Sequence, residues 1–379
     1  MSYIMYIQRY NNSKNVLQAA RERISFIFDN FENIIVSISG GKDSTTLAHL
    51  TLTEAHKRNR KVGLFFLDEE VVYQSTVNQI EYLMSLYPEN TNRLWLQIEF
   101  YLTNAVSLQE SQLKCWEHGK HKEWMHSKGS NNLINPPWGN DVKFRSGYNW
   151  LDFYGVIENF ERCYSNTAFL IGCRATESPN RWRIMVKNPV MVNEIPVYYA
   201  TQKPNSNVAI YPIYDWNFQD VWKYIYDNKL KYSKIYDFMF MKGFGISEIR
   251  VSSLIHERSF KSLCELPEFE PKTYDRLMKR IKGISFAQET GKNSKMFKVR
   301  KLPKNFKSWL PYRDFLIQTY PYENKRDIFI KRFGKHLNNE YVARQQCRQL
   351  ILNDYENNLP VDNKPDPRDE LINYYREVL

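Results

Sequence analysis

Apolar and polar positions alternate with two different periods along the first two thirds of the chain. A helical spacing over residues 15–30 predicts an amphipathic opening helix, and the β-branched run at 34–38 predicts a buried strand. The same succession recurs downstream. It predicts strands at 61–68, 94–101, 167–172 and 208–213, and helices at 45–57, 71–87 and 218–227. Because strands that alternate with helices form parallel sheets, the predicted fold class is α/β with a doubly wound parallel sheet.

This alternation breaks in two places. Residues 102–150 form a polar and aromatic stretch that is too long for an ordinary connection, so we interpret it as an insertion over the active face. From about residue 260 the chain changes to short helical patterns rich in Lys and Arg. The predicted organisation is a domain over 1–260 that contains the insertion, followed by a mainly helical basic domain over 261–379.

Positive charge is concentrated in one region of the 379-residue chain. Its formal net charge is +11. The segment from Lys282 to Arg348 contains 16 Lys and Arg residues and 5 Asp and Glu residues, a difference equal to the net charge of the whole chain. Such a region is typical of proteins that bind polyanions. A solvated basic face is an equally good interpretation, so DNA or RNA binding through Lys282–Arg348 is one of two alternatives.

The remaining composition excludes several classes of protein. Hydrophobic residues make up 42% of the chain, enough for a core, and no apolar run approaches the ~20 residues of a membrane span. Polar residues interrupt the N-terminal stretch, which is therefore not a signal peptide. Five cysteines without CxxC spacing argue against a disulfide framework. We expect a cytoplasmic globular protein with no membrane partner.

The clearest chemical signal lies between the first predicted strand and the next helix. Adjacent glycines let the backbone approach a ligand, and a helix N-terminus offers N–H groups and positive potential to an anion. Hydroxyl groups and one lysine add further donors. This loop is predicted to bind phosphate or pyrophosphate; an ordinary strand–helix turn is the alternative, and the spacing is not that of a Walker A loop. The loop consists of Ser39, Gly40, Gly41, Lys42, Asp43, Ser44 and Thr45.

Three segments resemble one family. The Ser-Gly-Gly-Lys-Asp-Ser loop resembles the PP-loop of the adenine nucleotide alpha-hydrolase-like superfamily, whose members include ATP pyrophosphatases and phosphoadenosine phosphosulfate (PAPS) reductases. Residues 172–181 and 211–225 resemble two segments of the PAPS reductase branch, and the order matches. The resemblance implies the adenine nucleotide alpha-hydrolase-like fold over about residues 30–260. Asp215 and Trp216, in the third segment, are interpreted as structural.

The resemblance also implies roles for single residues. Arg174 follows a strand, at the edge where open α/β sheets bind ligands, and suits phosphate, as does Arg181; an ion pair of either with Glu177 is the alternative. Asp43 is predicted to position Mg²⁺ and Asp68 to lie near adenosine, and a helix cap is the alternative for each. The residues predicted to be catalytic are Lys42, Asp43 and Arg174. Those predicted to bind the nucleotide are the seven loop residues together with Asp68, Gly172, Arg174, Glu177, Ser178 and Arg181.

The cysteines depart from the family pattern. PAPS reductases use a cysteine in a C-terminal Glu-Cys-Gly-containing tail, and an iron–sulfur branch uses a Cys-Cys pair and CxxC. Here Cys347 lies in a helical pattern without that tail. Neither a Cys-Cys pair nor a CxxC is present, so no iron–sulfur cluster is expected. We therefore favour ATP-dependent adenylation with pyrophosphate release, or sulfur transfer, using ATP or a PAPS-like adenine nucleotide and Mg²⁺.

Other members of the family widen the range of functions. Some are linked to sulfur insertion into DNA or to phage and prophage accessory roles, which implies action on or near nucleic acid and a protein partner. Two alternative functions stay open. One is a sulfonucleotide reductase with Cys115 or Cys173 as an atypical thiol, and the other is a non-enzymatic, nucleotide-sensing, DNA-associated regulatory protein.

One further cluster of residues suggests a metal. Cys115, His118, His121 and His126 lie within twelve residues and offer the sulfur and imidazole donors that zinc favours. Their spacing matches no closed four-ligand pattern, so a zinc site is an open alternative.

Overall fold

The computed structural model describes residues 15–107, 110–178, 181–183, 189–246, 248–251, 253–256, 259–284, 302–303, 305–337, 339–351, 353–355 and 357. Parts of the predicted basic region and the end of the predicted second domain therefore lie outside the described residues. The chain divides into two compact units. The sheet unit comprises Met1–Leu102, Lys114–Leu254 and Leu266–Arg280, and the helical unit comprises Thr103–Leu113, Ile255–Glu265 and Ile281–Leu379. The domain boundary near residue 260 stays a prediction.

Six strands form the central sheet of the sheet unit. They are β1 (Asn33–Ser37), β2 (Val62–Leu67), β3 (Thr91–Leu96), β6 (Thr167–Ile171), β9 (Ala200–Gln202) and β10 (Val208–Ile210), and four short strands pair outside this sheet: β4 (Phe100–Thr103), β5 (Gln112–Cys115), β7 (Val190–Val192) and β8 (Ile195–Val197). The spatial order is β3-β2-β1-β6-β10-β9. Neighbouring strands are parallel except for β10 and β9. The predicted α/β class with a mostly parallel sheet is confirmed.

Helices flank this sheet. Those of the sheet unit are α1 (Val16–Asn30), α2 (Lys42–Lys57), α3 (Gln74–Ser85), α4 (Phe153–Arg162), α5 (Phe218–Asp227), α6 (Ile235–Met241) and α8 (Pro271–Arg280). A further helix, α7 (Phe260–Phe269), contains residues of both units. All six residues of β2 are buried, as a strand covered on both faces requires. The described helices include none that is long and apolar enough to cross a lipid bilayer.

The prediction of a single strand over 94–101 is wrong. β3 ends at Leu96, and β4 begins at Phe100. Between them the backbone N–H of Gln97 donates to the carbonyl of Leu133, and its side chain donates to Asp68. These tertiary hydrogen bonds interrupt an apolar run that the local sequence alone would extend.

Within the sheet unit, a buried ion pair holds the first helix to the segment before α5. Two nitrogens of the Arg23 guanidinium donate to the two carboxylate oxygens of Asp215, at 2.8 and 2.7 Å. The indole N–H of Trp216 donates to the carbonyl of Val16 at 3.1 Å. Asp215 and Trp216 therefore attach the segment before α5 to α1, which supports their structural interpretation.

Residues of the insertion pack against β2 and β3. The backbone N–H of Trp116 donates to the Glu70 carboxylate at 2.6 Å, and Arg280 donates to the same carboxylate from α8. Leu133 pairs with the outermost strand, β3, through the carbonyl of Trp95. The part of the insertion that belongs to the sheet unit thus contacts the carboxyl end of β2 and the outer side of β3.

Three helices dominate the described part of the helical unit: α9 (Trp309–Gln318), α10 (Glu323–Phe333) and α11 (Glu340–Ile351). The Glu340 carboxylate accepts hydrogen bonds from the first backbone N–H groups of α9. Arg313 is 1% exposed and donates to Gln346, and Arg332 donates to two backbone carbonyls. The helical character predicted for this region is confirmed, and two of its basic side chains serve internal contacts.

Candidate functional site

The predicted phosphate loop joins β1 to α2. Gly40 has a φ of +69°, and a Cβ there would lie 3.0 Å from the Thr76 methyl group on α3, so the turn requires glycine. The hydroxyl of Ser44 donates to the Gly41 carbonyl at 3.0 Å and accepts from the Ser39 N–H at 3.1 Å. The loop is thereby folded back on the first turn of α2, whose leading N–H groups lack intrahelical acceptors.

Lys42 is the buried cation of this loop. Its backbone N–H donates to the hydroxyl of Tyr236 at 3.0 Å, and its ammonium lies within 6 Å of the ring centres of Phe218 and Tyr236. Burial lowers the pKa of Lys42 below its ordinary value, although Asp43 acts in the opposite direction; Arg174 and Arg250 lower it further. Two arginines therefore add positive charge near a buried ammonium, and a bound anion would stabilise the charged form of Lys42.

Five charged side chains alternate in sign along this edge of the sheet, and we call them the charge chain. Lys42 Nζ lies 2.7 Å from Asp43 Oδ2, and Arg174 Nε donates to Asp43 Oδ1. The other side of Arg174 approaches Glu177 at 3.6 Å, and Glu177 pairs with Arg181. The ion pairs with Glu177 that are the alternative for Arg174 and Arg181 are thus present.

Other predicted residues shape the site without carrying charge. A Cβ on Gly172 would lie 3.1 Å from the Asp43 carbonyl and from the Ser44 nitrogen, so Gly172 permits the close approach of β6 to the loop. Ser178 accepts the backbone N–H of Arg181 at 3.2 Å, which is a local cap. The hydroxyl of Thr45 accepts from Gln79 at 3.2 Å.

Asp68 lies at the end of β2 and is completely buried. One carboxylate oxygen accepts from the Trp95 indole at 2.7 Å and from Gln97 at 2.9 Å. The other accepts from the Glu70 N–H and lies 3.3 Å from His126 Nε2. The carboxylate is thus engaged by protein groups, and its contact with adenosine stays a prediction.

Sequence patterns did not reveal three residues around the loop. Tyr236 holds Lys42, Thr76 packs on Gly40, and Arg250 acts electrostatically on both Lys42 and Tyr236. All three come from segments distant in the chain, and no local motif marks them.

Glu69 follows β2, the strand next to β1. Burial raises the pKa of Glu69 to about 7; the hydrogen bond with Ser253 acts against this shift, and the charge of Asp68 adds to it.

The surroundings of Cys115 and Cys173 do not suit a reactive thiol, and the candidate zinc ligands do not converge. Cys115 is fully buried and lies 3.3 Å from the Glu69 carbonyl, and burial raises the pKa of its thiol well above the ordinary value. Burial also raises the pKa of Cys173. Within the described residues no three His, Cys, Asp or Glu side chains form a metal-binding group, so Cys115, His118, His121 and His126 are not brought together as a zinc site.

A phosphate-type loop between β1 and α2, at the carboxyl edge of a mostly parallel sheet, defines a PP-loop nucleotide-binding protein. Residues 33–244 match the phosphoadenosine phosphosulfate reductase domain, and the chain belongs to that family. Residues 243–346 match the domain of unknown function DUF3440.

The chain is also similar to individual proteins. The chain is 26% identical over 374 residues to the uncharacterized protein YbdN of Escherichia coli (strain K12), covering 90% of this chain and 89% of that protein. Similar solved structures include PAPS reductase from Candida auris in a phosphate complex, at 15% identity, TM-score 0.34 and coverage of 63% and 91%. FMN adenylyltransferase from Candida glabrata with FAD and pyrophosphate shows 14% identity, TM-score 0.33 and coverage of 62% and 60%.

Proposed function

We propose that this protein binds ATP at the loop of residues 39–45 and transfers its adenylate to an acceptor oxygen with release of pyrophosphate. The observation that carries the proposal is the charge chain, in which Asp43 holds two buried cations, Lys42 and Arg174, at a helix N-terminus. In the reaction the acceptor oxygen forms a bond to the α-phosphorus. The bond from that phosphorus to the bridging oxygen breaks, and its electron pair leaves with pyrophosphate.

Lys42 and Arg174 supply charge stabilisation in this proposal. The polyphosphate competes with the single Asp43 carboxylate for both cations, and it carries more negative charge than that carboxylate. Lys42 gains most, because burial keeps the pKa of its ammonium lowered even though Asp43 lies 2.7 Å away. The N–H groups at the start of α2 add donors directed at the departing pyrophosphate. Positioning and electrostatics are the main demands of phosphoryl chemistry.

Magnesium fits the donor set once the phosphates are bound. Proteins commonly hold Mg²⁺ by one or two carboxylates together with substrate phosphates. When Lys42 and Arg174 turn to the phosphates, Asp43 is left with two carboxylate oxygens at the loop, and it is the residue that would hold the ion. Bound there, Mg²⁺ would neutralise charge on the polyphosphate.

The surroundings of the thiols favour adenylation over reduction. A thiol nucleophile needs a lowered pKa, whereas burial raises the pKa values of Cys115 and Cys173. Sulfur transfer through an adenylated intermediate uses the same phosphate site and belongs to the same proposal. Action on or near nucleic acid is proposed from the charge of Lys282–Arg348 alone.

The test is pyrophosphate release from ATP and Mg²⁺ by the full-length chain, with and without DNA. Asp43→Ala and Arg174→Ala are expected to abolish release. Arg162→Ala is the matched control, because Arg162 lies on α4 and its guanidinium donates to Asn159 and Asp141 rather than to a residue of the charge chain. Binding of ATP by the wild type without any release, with or without DNA, would contradict the proposal and favour nucleotide sensing.

A further inference from the structure

A buried tyrosine on α6 borders the loop of residues 39–45. The Tyr236 hydroxyl accepts the backbone N–H of Lys42 at 3.0 Å, and the residue is 4% exposed. A Cβ on Gly41 would lie 3.4 Å from this hydroxyl oxygen and 3.4 Å from Ser39 Oγ. The space beside Gly41 is therefore flanked by two hydroxyl groups, at the point where the loop enters α2.

The hydrogen bonds of the Tyr236 hydroxyl use its oxygen and leave its proton. Besides the Lys42 N–H, the oxygen accepts a hydrogen bond from the backbone of Val251. A phenol also has one proton to donate, and no group among the described residues accepts it. Because buried donors are normally satisfied, this proton is left for an acceptor that a ligand brings.

The Tyr236 hydroxyl keeps its proton at neutral pH. Burial raises the pKa of Tyr236, and the charge of Asp43 adds to this shift. Hydrogen bonds from the backbone of Lys42 and Val251 and the charge of Arg250 act against it. The group is therefore a neutral donor and not a phenolate, so it does not repel an anion.

The nearest hydroxyl of the predicted loop is not free to take this role. Ser44 donates its proton to the Gly41 carbonyl at 3.0 Å, and its oxygen accepts the Ser39 N–H at 3.1 Å. Ser44 thus shapes the loop. The donor that it does not offer to a ligand is supplied by Tyr236, 194 positions downstream of Lys42.

Packing fixes the direction of the Tyr236 ring. Trp222 lies edge-on to it, with ring centres 5.2 Å apart, and the Lys42 ammonium lies 5.8 Å from the Tyr236 ring centre. The backbone N–H of Tyr236 donates to the Ser233 carbonyl at 3.2 Å. A ligand therefore meets a hydroxyl that is already in position, which lowers the entropic cost of binding.

We propose that the Tyr236 hydroxyl donates a hydrogen bond to an oxygen of the pyrophosphate part of ATP, and that this oxygen lies beside Gly41. The assignment rests on the proposed function, because it requires phosphates at the loop. Lys42 and Arg174 contribute charge to that site, whereas Tyr236 contributes a directed neutral donor.

Binding of inorganic pyrophosphate to the full-length chain, measured by calorimetry, tests the assignment. Tyr236→Phe removes the hydroxyl and keeps the ring, so it is expected to weaken binding by about tenfold or more. Tyr232→Phe is the matched control and is expected to bind like the wild type. Tyr232 also lies edge-on to Trp222, but its hydroxyl donates to Asp237 at 2.9 Å.

The outcomes separate this assignment from the proposed function. Equal binding by Tyr236→Phe and the wild type would overturn the assignment and leave the proposed function standing. Absence of pyrophosphate binding by the wild type would overturn both, because both place pyrophosphate at the loop.

Tyr236→Phe also removes the acceptor of the Lys42 N–H, so a second replacement distinguishes the two roles of the hydroxyl. Replacing Tyr236 by 3-fluorotyrosine makes the phenol a stronger donor and a weaker acceptor. Pyrophosphate is then expected to bind about twofold more tightly. The same replacement of Tyr232 is expected to change nothing. Unchanged or weaker binding after the replacement of Tyr236 would assign the hydroxyl to Lys42 alone and overturn the proposal.

Gly41→Ala locates the phosphate oxygen. Gly41 has a φ of −79°, which alanine adopts freely, and the new methyl group would make ordinary contacts with the two hydroxyl oxygens. It would occupy the space proposed for the phosphate, so binding is expected to weaken by about tenfold or more. Circular dichroism establishes that the variant is folded, and Gly334→Ala is the control. Unchanged pyrophosphate binding in folded Gly41→Ala would place the phosphate elsewhere and sink the assignment.

Discussion

Arg174 and Asp43 are 131 positions apart in the chain, and the Arg174 guanidinium donates directly to the Asp43 carboxylate. The contact joins the end of β6 to the loop after β1, because these two strands are adjacent and parallel in the sheet. The Asp43 carboxylate thus contacts two cations, Lys42 and Arg174.

Asp43→Asn separates the two roles assigned to Asp43. Without its charge, Lys42 and Arg174 have no internal competitor, so inorganic pyrophosphate is expected to bind more tightly in the absence of Mg²⁺, by roughly three- to tenfold. The enhancement of ATP binding by Mg²⁺ is expected to disappear. Isothermal titration calorimetry with and without the metal measures both effects. Asp227→Asn, on the exposed end of α5, serves as the control; weaker pyrophosphate binding in Asp43→Asn would contradict the competition.

Gly172→Ala tests the close approach of β6 to the loop. The new methyl group would lie 3.1 Å from backbone atoms of Asp43 and Ser44, which cannot move aside as a flexible side chain can. We expect a loss of about 1–3 kcal/mol in the free energy of unfolding and weaker ATP binding. Urea unfolding and calorimetry measure the two effects. Gly334→Ala, where a Cβ would meet no atom within 4 Å, is expected to change neither.

Glu69→Gln tests the cost of a partly buried carboxylate. Burial raises the pKa of Glu69 from 4.5 to about 7, so the folded state holds a proton that the unfolded chain releases at lower pH. Wild-type stability attributable to this group therefore falls as pH rises from about 4.5 to about 7. Glutamine avoids that cost, and the variant is expected to gain roughly 1–3 kcal/mol over the wild type above neutral pH but little in acid. Urea unfolding at several pH values measures it; a gain independent of pH would contradict the assignment.

Cys173→Ser distinguishes adenylation from thiol chemistry. The serine keeps the size of the side chain beside Arg174 but removes the sulfur, so pyrophosphate release is expected to stay within about twofold of the wild type. The exposed Cys163→Ser is the control. Loss of turnover in Cys173→Ser alone, with ATP binding preserved, would favour the reductase alternative.

Short-range patterns accounted for the centre of the fold. The spacing of apolar residues predicts the helices on either side of the loop and the strands at 34–38, 61–68 and 167–172. Each of these elements is long enough to show its own repeat. The break between β3 and β4 did not follow, since it depends on hydrogen bonds from Gln97 to Leu133 and Asp68. Helix α4 and the short strands β7 to β9 also went unpredicted.

The sequence by itself indicated the loop of residues 39–45, because its glycines, its hydroxyl groups and the start of the following helix lie within a few residues of one another. It also indicated Gly172 and Arg174, because residues 172–181 resemble a segment of the PAPS reductase branch. Only the tertiary structure decided what these groups contact: that Asp43 lies between two cations, that Tyr236 holds Lys42, that Asp68 is enclosed by Trp95 and Gln97, and that Cys115 is buried. Charge pairing and burial depend on which strands become neighbours, and a linear sequence does not contain those distances.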